Sequence, residues 1–342
     1  MSFTMEYLES ILANWDIQGN IQYGDNQGLI NHTYLIGSPT LAVLQWVNGI
    51  FHPDIHWDIQ AITQHLLAKR LPTTTLIPTK DGALCFEDTV NGGTWRMLTF
   101  IPGTTIHSIQ NPKVAYEAGK LVGTFHNAMQ DFEHTWRGPK RDAHNTPIRM
   151  ENLKEALNAS SGHHLEQEAG ALAEQILDSW QKWEGQLDLP PQVCHGDLKI
   201  SNLHFNSDFT GLCLLDLDTL SIMDYSVEMG DAWRSWCNPA GESNLEATRF
   251  DLGNFEASAK GWLEQVSIQR IEKENLVAGI ERICLELAAR FCADALQNTY
   301  FKEDLTRYPI IGSHNLLRAQ TQFKLAQSVL HQRSQAEKII NS

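Results

Sequence analysis

The residues best suited to chemistry lie in one run, from His195 to Asn202, and at a second acidic position, Asp216. Asp197 supplies a carboxylate that can accept a proton. Asn202, five residues later, and Asp216, after an apolar run, supply oxygen ligands that suit a magnesium ion. A base followed by two metal ligands in this order is typical of phosphoryl transfer. We therefore expect Asp197 to be a catalytic base.

A predicted β-hairpin would bring the two metal ligands together. Apolar residues at 203–205 and 212–217 flank a segment that is rich in Asn, Ser, Asp and Gly. Because hairpin strands run side by side, Asn202 and Asp216 would meet at one end, and we predict a magnesium site there. Asp218 is a second candidate acid at the same strand end, or alternatively a cap of the following turn.

Two further residues of the catalytic run have predicted supporting roles. Lys199 lies two residues after Asp197 and would place a cation on the transferred phosphoryl group, where it offsets transition-state charge. The alternative for Lys199 is a solvated surface lysine. His195 is predicted to hold the loop by hydrogen bonds and not to act as a base.

The elements that must position these residues differ between the first third of the chain and the rest. Residues 4–15 and 54–69 have apolar side chains at helical spacing, and strand-like runs occupy much of the remaining sequence between 21 and 101. The first third of the chain is therefore predicted to form a small β-rich unit with two helices.

A break at Pro102 and Gly103 ends this pattern. A helix is predicted to begin at Asn111, which can cap it, and helices follow along most of the remaining chain. We expect an α+β fold of two lobes: a nucleotide-binding lobe at 1–102 and a mainly helical lobe at 103–342 that carries catalysis and the substrate site.

The composition argues against several classes of function. Lys and Arg number 26 against 41 Asp and Glu, and the formal net charge of −15 disfavours binding to nucleic acid or to an anionic membrane. No window is apolar over about twenty residues, and the N-terminus has no basic region, so neither a membrane span nor a secretory signal is expected. Six cysteines without a CxxC motif suggest reduced thiols in a cytoplasmic protein.

Taken together, these residues resemble the aminoglycoside phosphotransferase-like kinases of small molecules. The catalytic run carries the likeness to the family as a whole, and other stretches favour its N-acetylhexosamine 1-kinase group. These stretches are Gly28–Tyr34, Leu44–Asn48 with Phe51, Trp95–Arg96 with Phe100–Ile101, His144–Arg149, Gly230–Arg234 and His314–Leu325. The resemblance implies a protein-kinase-like fold, ATP and Mg²⁺ as cofactors, and an Asp231 that braces the backbone of the catalytic loop.

The predicted nucleotide-binding segment departs from the protein-kinase pattern. Protein kinases carry a strand lysine that grips the phosphates and a glycine-rich loop above them. This chain has no Lys or Arg before Lys69, and Gln45 stands at the matching strand position, as it tends to in the sugar-kinase group. We therefore assign nucleotide binding to Gln45, to the segment that contains Gly28, Asn31 and Thr33, and to magnesium.

Three arginines of the helical lobe, Arg149, Arg234 and Arg318, are candidates for substrate contact. A guanidinium holds hydroxyl or carboxylate groups with a forked set of donors. Interhelical salt bridges are the alternative for each of them.

The sequence leaves three functions open. The first is an ATP- and magnesium-dependent kinase that acts on the anomeric hydroxyl of a hexose or N-acetylhexosamine. The second is a choline, homoserine or aminoglycoside kinase, which would need an acidic or aromatic cage for its cationic substrate. The third is a catalytically silent binding protein with a kinase fold, suggested by the missing lysine. The intact Asp197, Asn202 and Asp216 argue against this third function.

Overall fold

A computed structural model describes residues 3–24, 31–139 and 144–342. Within these residues, the first part of the chain forms an antiparallel sheet in the order β1-β2-β3-β6-β4, with β5 also paired to β6. The strands are β1 (Ile21–Tyr23), β2 (His32–Ile36), β3 (Ala42–Val47), β4 (Leu76–Ile77), β5 (Phe86–Glu87) and β6 (Thr94–Thr99). Strand β3, which carries the predicted phosphate-binding glutamine, therefore lies inside the sheet between β2 and β6.

Helix α1 (Met5–Leu12) packs on one face of this sheet. Its buried side chains form an apolar cluster with alternate strand residues, among them Leu44, Trp46 and Met97. Because successive side chains of a strand point to opposite faces, Gln45 lies on the face away from α1. The sheet therefore has one apolar face, which α1 covers, and an opposite face that carries the predicted nucleotide site.

Helix α2 (Ile55–Ala68) belongs to the core of the helical part of the chain. Its apolar residues recur at helical spacing, as predicted, at Ile55, Ile59, Ile62 and Leu66. These side chains join a large cluster that also contains the buried faces of the later helices. The first third of the chain is therefore packed against the rest by a whole helix face.

Asp58 fastens the start of α2 to the segment that follows the next helix. Its Oδ1 accepts the Arg137 amide at 2.9 Å, and its Oδ2 accepts the Gly138 amide at 2.8 Å. His134 Nε2 lies 2.7 Å from the same carboxylate. This buried carboxylate therefore holds α2 to backbone that lies outside the sheet.

The remainder of the described chain is mainly helical, as predicted. Asn111 caps the first of these helices by accepting the Val114 amide at 3.2 Å, and Pro112 stands at its start. The helices are α3 (Pro112–Met129), α4 (Thr146–Asn158), α5 (Glu166–Gln181), α6 (Tyr225–Trp236), α7 (Leu252–Leu263), α8 (Arg270–Gln297) and α9 (Ser313–Asn341).

The predicted hairpin forms, although its second strand is shorter than expected. Strand β9 (Leu203–Phe205) pairs with β10 (Gly211–Leu214) and, on its other side, with β7 (Thr104–Thr105). The second strand was expected to reach residue 217. It stops earlier because Asp216 takes the left-handed conformation, with φ 58° and ψ 58°, which a strand cannot continue.

None of the helices in the described ranges is both long enough and apolar enough to cross a membrane. The division of the chain at residues 102 and 103 stays a prediction, since α2 shares its core with the helices that follow.

Candidate active site

The catalytic run leaves strand β8 (Gln192–Cys194), which pairs with β11 (Ser221–Met223). Gly196 has a φ of +82°, and a Cβ there would lie 2.4 Å from the carbonyl oxygen of Thr219. Only glycine fits this turn, because both the backbone conformation and the space exclude a side chain. The turn leads into a short 3₁₀ helix (Ile200–Asn202), so the predicted base and the first metal ligand share one compact loop.

Three side chains of this loop converge. Lys199 Nζ donates to Asp197 Oδ2 at 2.6 Å. Asn202 Nδ2 donates to the same oxygen at 3.1 Å and to the Asp197 carbonyl at 2.8 Å. The side chains of Asp197 and Lys199 remain 30% and 44% exposed, so a ligand can reach both.

Neighbouring charges keep this pair ionised. Burial would raise the pKa of Asp197, but the charge and the hydrogen bond of Lys199, together with the weaker influence of Arg234 and other nearby groups, hold that pKa below its usual range. Burial would lower the pKa of Lys199, but Asp197 and Asp216 outweigh it and raise that pKa. At neutral pH the loop therefore presents a carboxylate beside an ammonium group.

Asp216 lies across from this loop, with Oδ2 3.9 Å from Lys199 Nζ. Its left-handed backbone is uncommon for a residue other than glycine, and such strain often marks a functional position. Burial, followed by the charges of Asp218 and Asp197, raises the pKa of Asp216 to about 6. A bound cation would relieve this repulsion between carboxylates.

The donor set at this point fits a hard cation. Asn202 turns its amide nitrogen toward Asp197, which leaves its amide oxygen directed elsewhere. The Asp216 carboxylate is 37% exposed on the same side of the loop as Lys199. Carboxylate and amide oxygens are ligands that Mg²⁺ accepts, with nucleotide phosphates completing its coordination.

Asp218 takes neither of the roles considered for it. Its side chain is 1% exposed, and its Oδ1 accepts a hydrogen bond from Arg96 Nη1. Its Oδ2 accepts from Asn31 Nδ2 at 2.8 Å. Because both oxygens have buried partners, Asp218 joins the hairpin end to the sheet instead of capping a turn or binding a metal.

The predicted phosphate-binding glutamine lies between a threonine and an arginine on the neighbouring strands. Gln45 is in register with Thr33 of β2 and with Arg96 of β6. Its Nε2 donates to Thr33 Oγ1 at 3.1 Å, and its Oε1 accepts from Arg96 Nε at 2.9 Å. Asn31 donates from Nδ2 to Asp218 and accepts the Asn48 amide at Oδ1. The prediction for Gly28 falls outside the described residues.

The backbone of the catalytic loop is braced by Glu228 of α6. Its Oε1 accepts the His195 amide at 2.7 Å, and its Oε2 accepts the Gly196 amide at 2.9 Å. Asp231, to which the resemblance assigned this bracing, instead pairs with Arg234 at 2.9 Å. Asp231 lies about one helical turn after Glu228 in α6. Arg234, three residues after Asp231, lies on the same face of the helix and is within reach of its carboxylate. His195 Nε2 lies 2.7 Å from the backbone carbonyl that precedes Asp216.

Glu228 also belongs to a group whose hydrogen bonds argue against a second metal site. Among the described residues, His126, Cys194 and Glu228 place potential ligand atoms within 4.8 Å of one another. Trp262 Nε1 can only donate, and it lies 2.9 Å from His126 Nδ1. A neutral His126 therefore carries its proton on Nε2, which faces Glu228 at 3.3 Å as a donor and not as a ligand.

Two of the candidate substrate arginines share one carboxylate. Glu242 accepts from Arg234 Nη1 at 3.0 Å and from Arg318 Nη2 at 2.8 Å. Burial raises the pKa of Asp197, and the charge of Arg234 helps to lower it, after the larger contributions of Lys199 and His195. The structure thus brings together two of the three arginines.

A cavity of about 590 Å³ adjoins this arginine pair. It is lined by Glu242, Ser243, residues 302–306, His314 and Arg318. Arg149 is half-buried in α4.

Known structures share this fold over nearly the whole chain. An aminoglycoside phosphotransferase from Alicyclobacillus acidocaldarius is 14% identical, with a TM-score of 0.63 and 96% of each chain covered. The amicoumacin kinase hAmiN, in complex with AMP-PNP and Ca²⁺, is 10% identical, with a TM-score of 0.63 and 94% of each chain covered. A choline kinase from Cryptosporidium parvum is 13% identical, with a TM-score of 0.62 and 99% of each chain covered. This likeness confirms the predicted α+β, protein-kinase-like fold.

One family pattern matches the sequence itself. The pattern of the phosphotransferase enzyme family spans residues 24–262, which is more than half of the chain and includes Asp197, Asn202 and Asp216. The prediction of a phosphotransferase enzyme is confirmed by this match, whereas the N-acetylhexosamine subgroup stays a prediction. By this match the chain belongs to the phosphotransferase enzyme family.

Proposed function

We propose that the protein transfers the γ-phosphoryl group of ATP to a hydroxyl group of a small molecule. The observation that carries this proposal is the cluster of Asp197, Lys199, Asn202 and Asp216. It joins an ionised carboxylate, a cation and two oxygen ligands in one open site. The AMP-PNP and Ca²⁺ bound in the hAmiN complex support ATP and a divalent cation as cofactors.

The proposed reaction needs few groups from the protein. The acceptor oxygen forms a bond to the γ-phosphorus as the bond from that phosphorus to the bridging oxygen breaks, and ADP leaves. Asp197 orients the acceptor hydroxyl and receives its proton. Lys199 lies where its charge can offset the negative charge on the transferred group.

Asn202 and Asp216 would hold the magnesium ion, which when bound neutralises charge on the nucleotide phosphates. For the nucleotide itself we assign Gln45 and the backbone around Thr33 as neighbours of the phosphates. Asn31 has its side chain committed to Asp218, so we assign it a positioning role.

For the acceptor we propose the anomeric hydroxyl of a hexose or N-acetylhexosamine. Arg234 and Arg318 are paired with Asp231 and Glu242, and the adjoining cavity also presents Lys302, Glu303 and Asp304. The forked donors of the guanidinium groups, together with these carboxylate acceptors, suit a neutral polyhydroxyl compound. The resemblance of several stretches to the sugar-kinase group supports the same choice.

An acceptor panel with Mg²⁺ and ATP tests this function. Purified protein is assayed for ADP release with free hexoses, N-acetylhexosamines, choline, homoserine and an aminoglycoside, and ³¹P NMR identifies the phosphorylated position. We expect a C1 phosphate from a reducing sugar and no reaction with its methyl glycoside. Phosphorylation of only choline, homoserine or the aminoglycoside would refute the sugar substrate but would still support a small-molecule kinase activity. Binding of Mg–AMP-PNP without transfer to any acceptor would favour a silent binding protein.

A further inference from the structure

A cation lies beside the glutamine that stands in place of the kinase lysine. Arg96 of β6 is the register partner of Gln45 in β3, so the two side chains share one face of the sheet. The guanidinium donates to Gln45 Oε1 from Nε at 2.9 Å and from Nη2 at 2.6 Å. Its forked shape leaves Nη1 for a third contact.

This third contact reaches the end of the hairpin. Arg96 Nη1 donates to Asp218, and neither side chain is more than 2% exposed. Asp218 lies in the 3₁₀ helix Leu217–Thr219, which Asp216 directly precedes. A shift of Asp218 would therefore move the proposed metal ligand.

The helix packed beside this group contributes a neutral side chain. His56 of α2 is 1% exposed, and its Nδ1 lies 2.7 Å from the Pro53 carbonyl oxygen, so Nδ1 must donate. Its buried Nε2 has no hydrogen-bond partner among the described residues, which disfavours a second proton there. Burial, together with the charge of Arg96, lowers the pKa of His56 to about 4. The imidazole is thus neutral at physiological pH, and Arg96 supplies the positive charge.

We propose that Arg96 is the buried cation that positions the nucleotide site in this chain, which lacks the phosphate-gripping strand lysine of protein kinases. It holds Gln45 and Asp218 in one arrangement, and through them it sets the affinity of the site for the magnesium–nucleotide complex. This inference rests on the proposed function. Arg96 is a positioning residue, because its three donor atoms are engaged by protein groups on two elements.

The energetics of buried ion pairs support a geometric role. Such pairs are costly to desolvate, and apolar side chains of similar volume often stabilise a protein as well or better. What the pair supplies is a fixed distance between the sheet and the hairpin end. Lysine could not supply it, since an ammonium group lacks the planar fork that spans Gln45 and Asp218.

Two variants test this role. Arg96→Lys keeps the charge and loses the fork. The double variant Arg96→Met with Asp218→Leu removes both buried charges together, so neither charge is left unpaired; Asn31 and Gln45 each lose one hydrogen-bond partner. Arg333→Met is the matched control, because Arg333 of α9 pairs with Glu281 of α8 at 3.3 Å and is 19% exposed.

The readouts are calorimetric binding of Mg–AMP-PNP, KM for ATP and for the acceptor, and the thermal unfolding midpoint. We expect both Arg96 variants to raise the Kd for Mg–AMP-PNP and KM for ATP by about tenfold or more, while KM for the acceptor stays unchanged. A merely structural residue would lower the unfolding midpoint without this selective change. Arg333→Met should behave in that way.

Folded Arg96 variants that bind Mg–AMP-PNP as tightly as the wild type would overturn the inference. An equal loss of nucleotide affinity in Arg333→Met would also overturn it, since any broken ion pair would then have the effect. If the double variant does not fold, Arg96→Lys decides. A wild-type protein that binds no Mg–AMP-PNP would instead overturn the proposed function.

Discussion

Lys199 determines the charge of the proposed base more directly than any other residue. It forms a 2.6 Å hydrogen bond to Asp197 and is the largest of the influences that lower the pKa of that carboxyl against the effect of burial. An ionised carboxylate is a weak proton acceptor but a strong hydrogen-bond acceptor, which suits a loose phosphoryl-transfer transition state. At the residue scale, then, the role proposed for Asp197 is to orient the acceptor first and to receive its proton late.

Asp197→Asn tests this role. The substitution is nearly isosteric and removes the proton acceptor and its charge, so we expect turnover to fall by about 10²–10⁴-fold. Mg–AMP-PNP binding and the thermal unfolding midpoint should remain close to those of the wild type. Steady-state kinetics and calorimetry check this expectation, and a folded variant with near wild-type kcat would refute the assignment.

Asp216→Ala tests the metal site. Because Asp216 is a partly exposed carboxylate that lies 3.9 Å from Lys199 Nζ, we expect magnesium-dependent binding of AMP-PNP to be lost. Asp208→Ala is the matched control, since Asp208 is an exposed carboxylate in the turn of the same hairpin. Calorimetry with and without Mg²⁺ measures the affinity of both variants for AMP-PNP. Unchanged affinity in the Asp216 variant would move the metal site elsewhere.

At the scale of elements, helix α6 holds the catalytic loop in place. Glu228 accepts two consecutive loop amides, at 2.7 and 2.9 Å, and lies against a buried histidine on its other side. A second residue of α6, Trp236, donates from Nε1 to the Leu198 carbonyl oxygen at 2.7 Å. Helix α6 therefore contacts the loop on both sides of Asp197.

Glu228→Gln should lower kcat by about tenfold or more, because one loop amide loses its acceptor and the charge that strengthens both bonds is removed. Asp88→Asn is a matched control: that buried carboxylate also accepts two backbone amides, those of Val90 and Asn91, and its further partners include Tyr7 of α1. We expect both variants to lose stability and only Glu228→Gln to lose kcat. Equal kcat losses would show that Glu228 acts through general stability.

At the scale of the whole molecule, the sheet and the helical part share a core through α2, and a buried polar group spans the same junction. His56 lies in this junction, where the charges of Arg96 and Asp218 act on it. Burial is the largest influence and lowers the pKa of His56 from 6.5 to about 4. A buried neutral histidine makes the junction sensitive to acid.

The sign of this effect follows from proton linkage. As the pH falls from 6.5 toward 4, the unfolded chain takes up a proton at His56 while the folded protein does not, so the free energy of unfolding decreases. We expect a loss of about 2 kcal/mol at pH 5 relative to pH 7.5. In His56→Gln this part of the loss should disappear, whereas it should persist in a variant of the exposed His331. Urea unfolding at both pH values measures it; identical pH dependence in His56→Gln and wild type would contradict the assignment.

The sequence by itself determined the features that depend on near neighbours. The spacing of Asp197, Asn202 and Asp216 indicated phosphoryl transfer, apolar periodicity indicated the helices, and turn residues indicated the hairpin. The fold class and the enzyme class are confirmed. The sugar substrate and the individual site assignments stay predictions, because side-chain types and resemblance do not establish contact with a ligand.

Only the tertiary structure decided which side chains support the site. Arg96 meets Gln45 across 51 residues and Asp218 across 122, and Glu228 meets Gly196 across 32. Strand register and helix packing set these pairings, and neither can be predicted from a local sequence pattern. Asp231 and Glu228 lie about one turn apart on the same helix, so only the packing of α6 against β8 determines which of them reaches the loop.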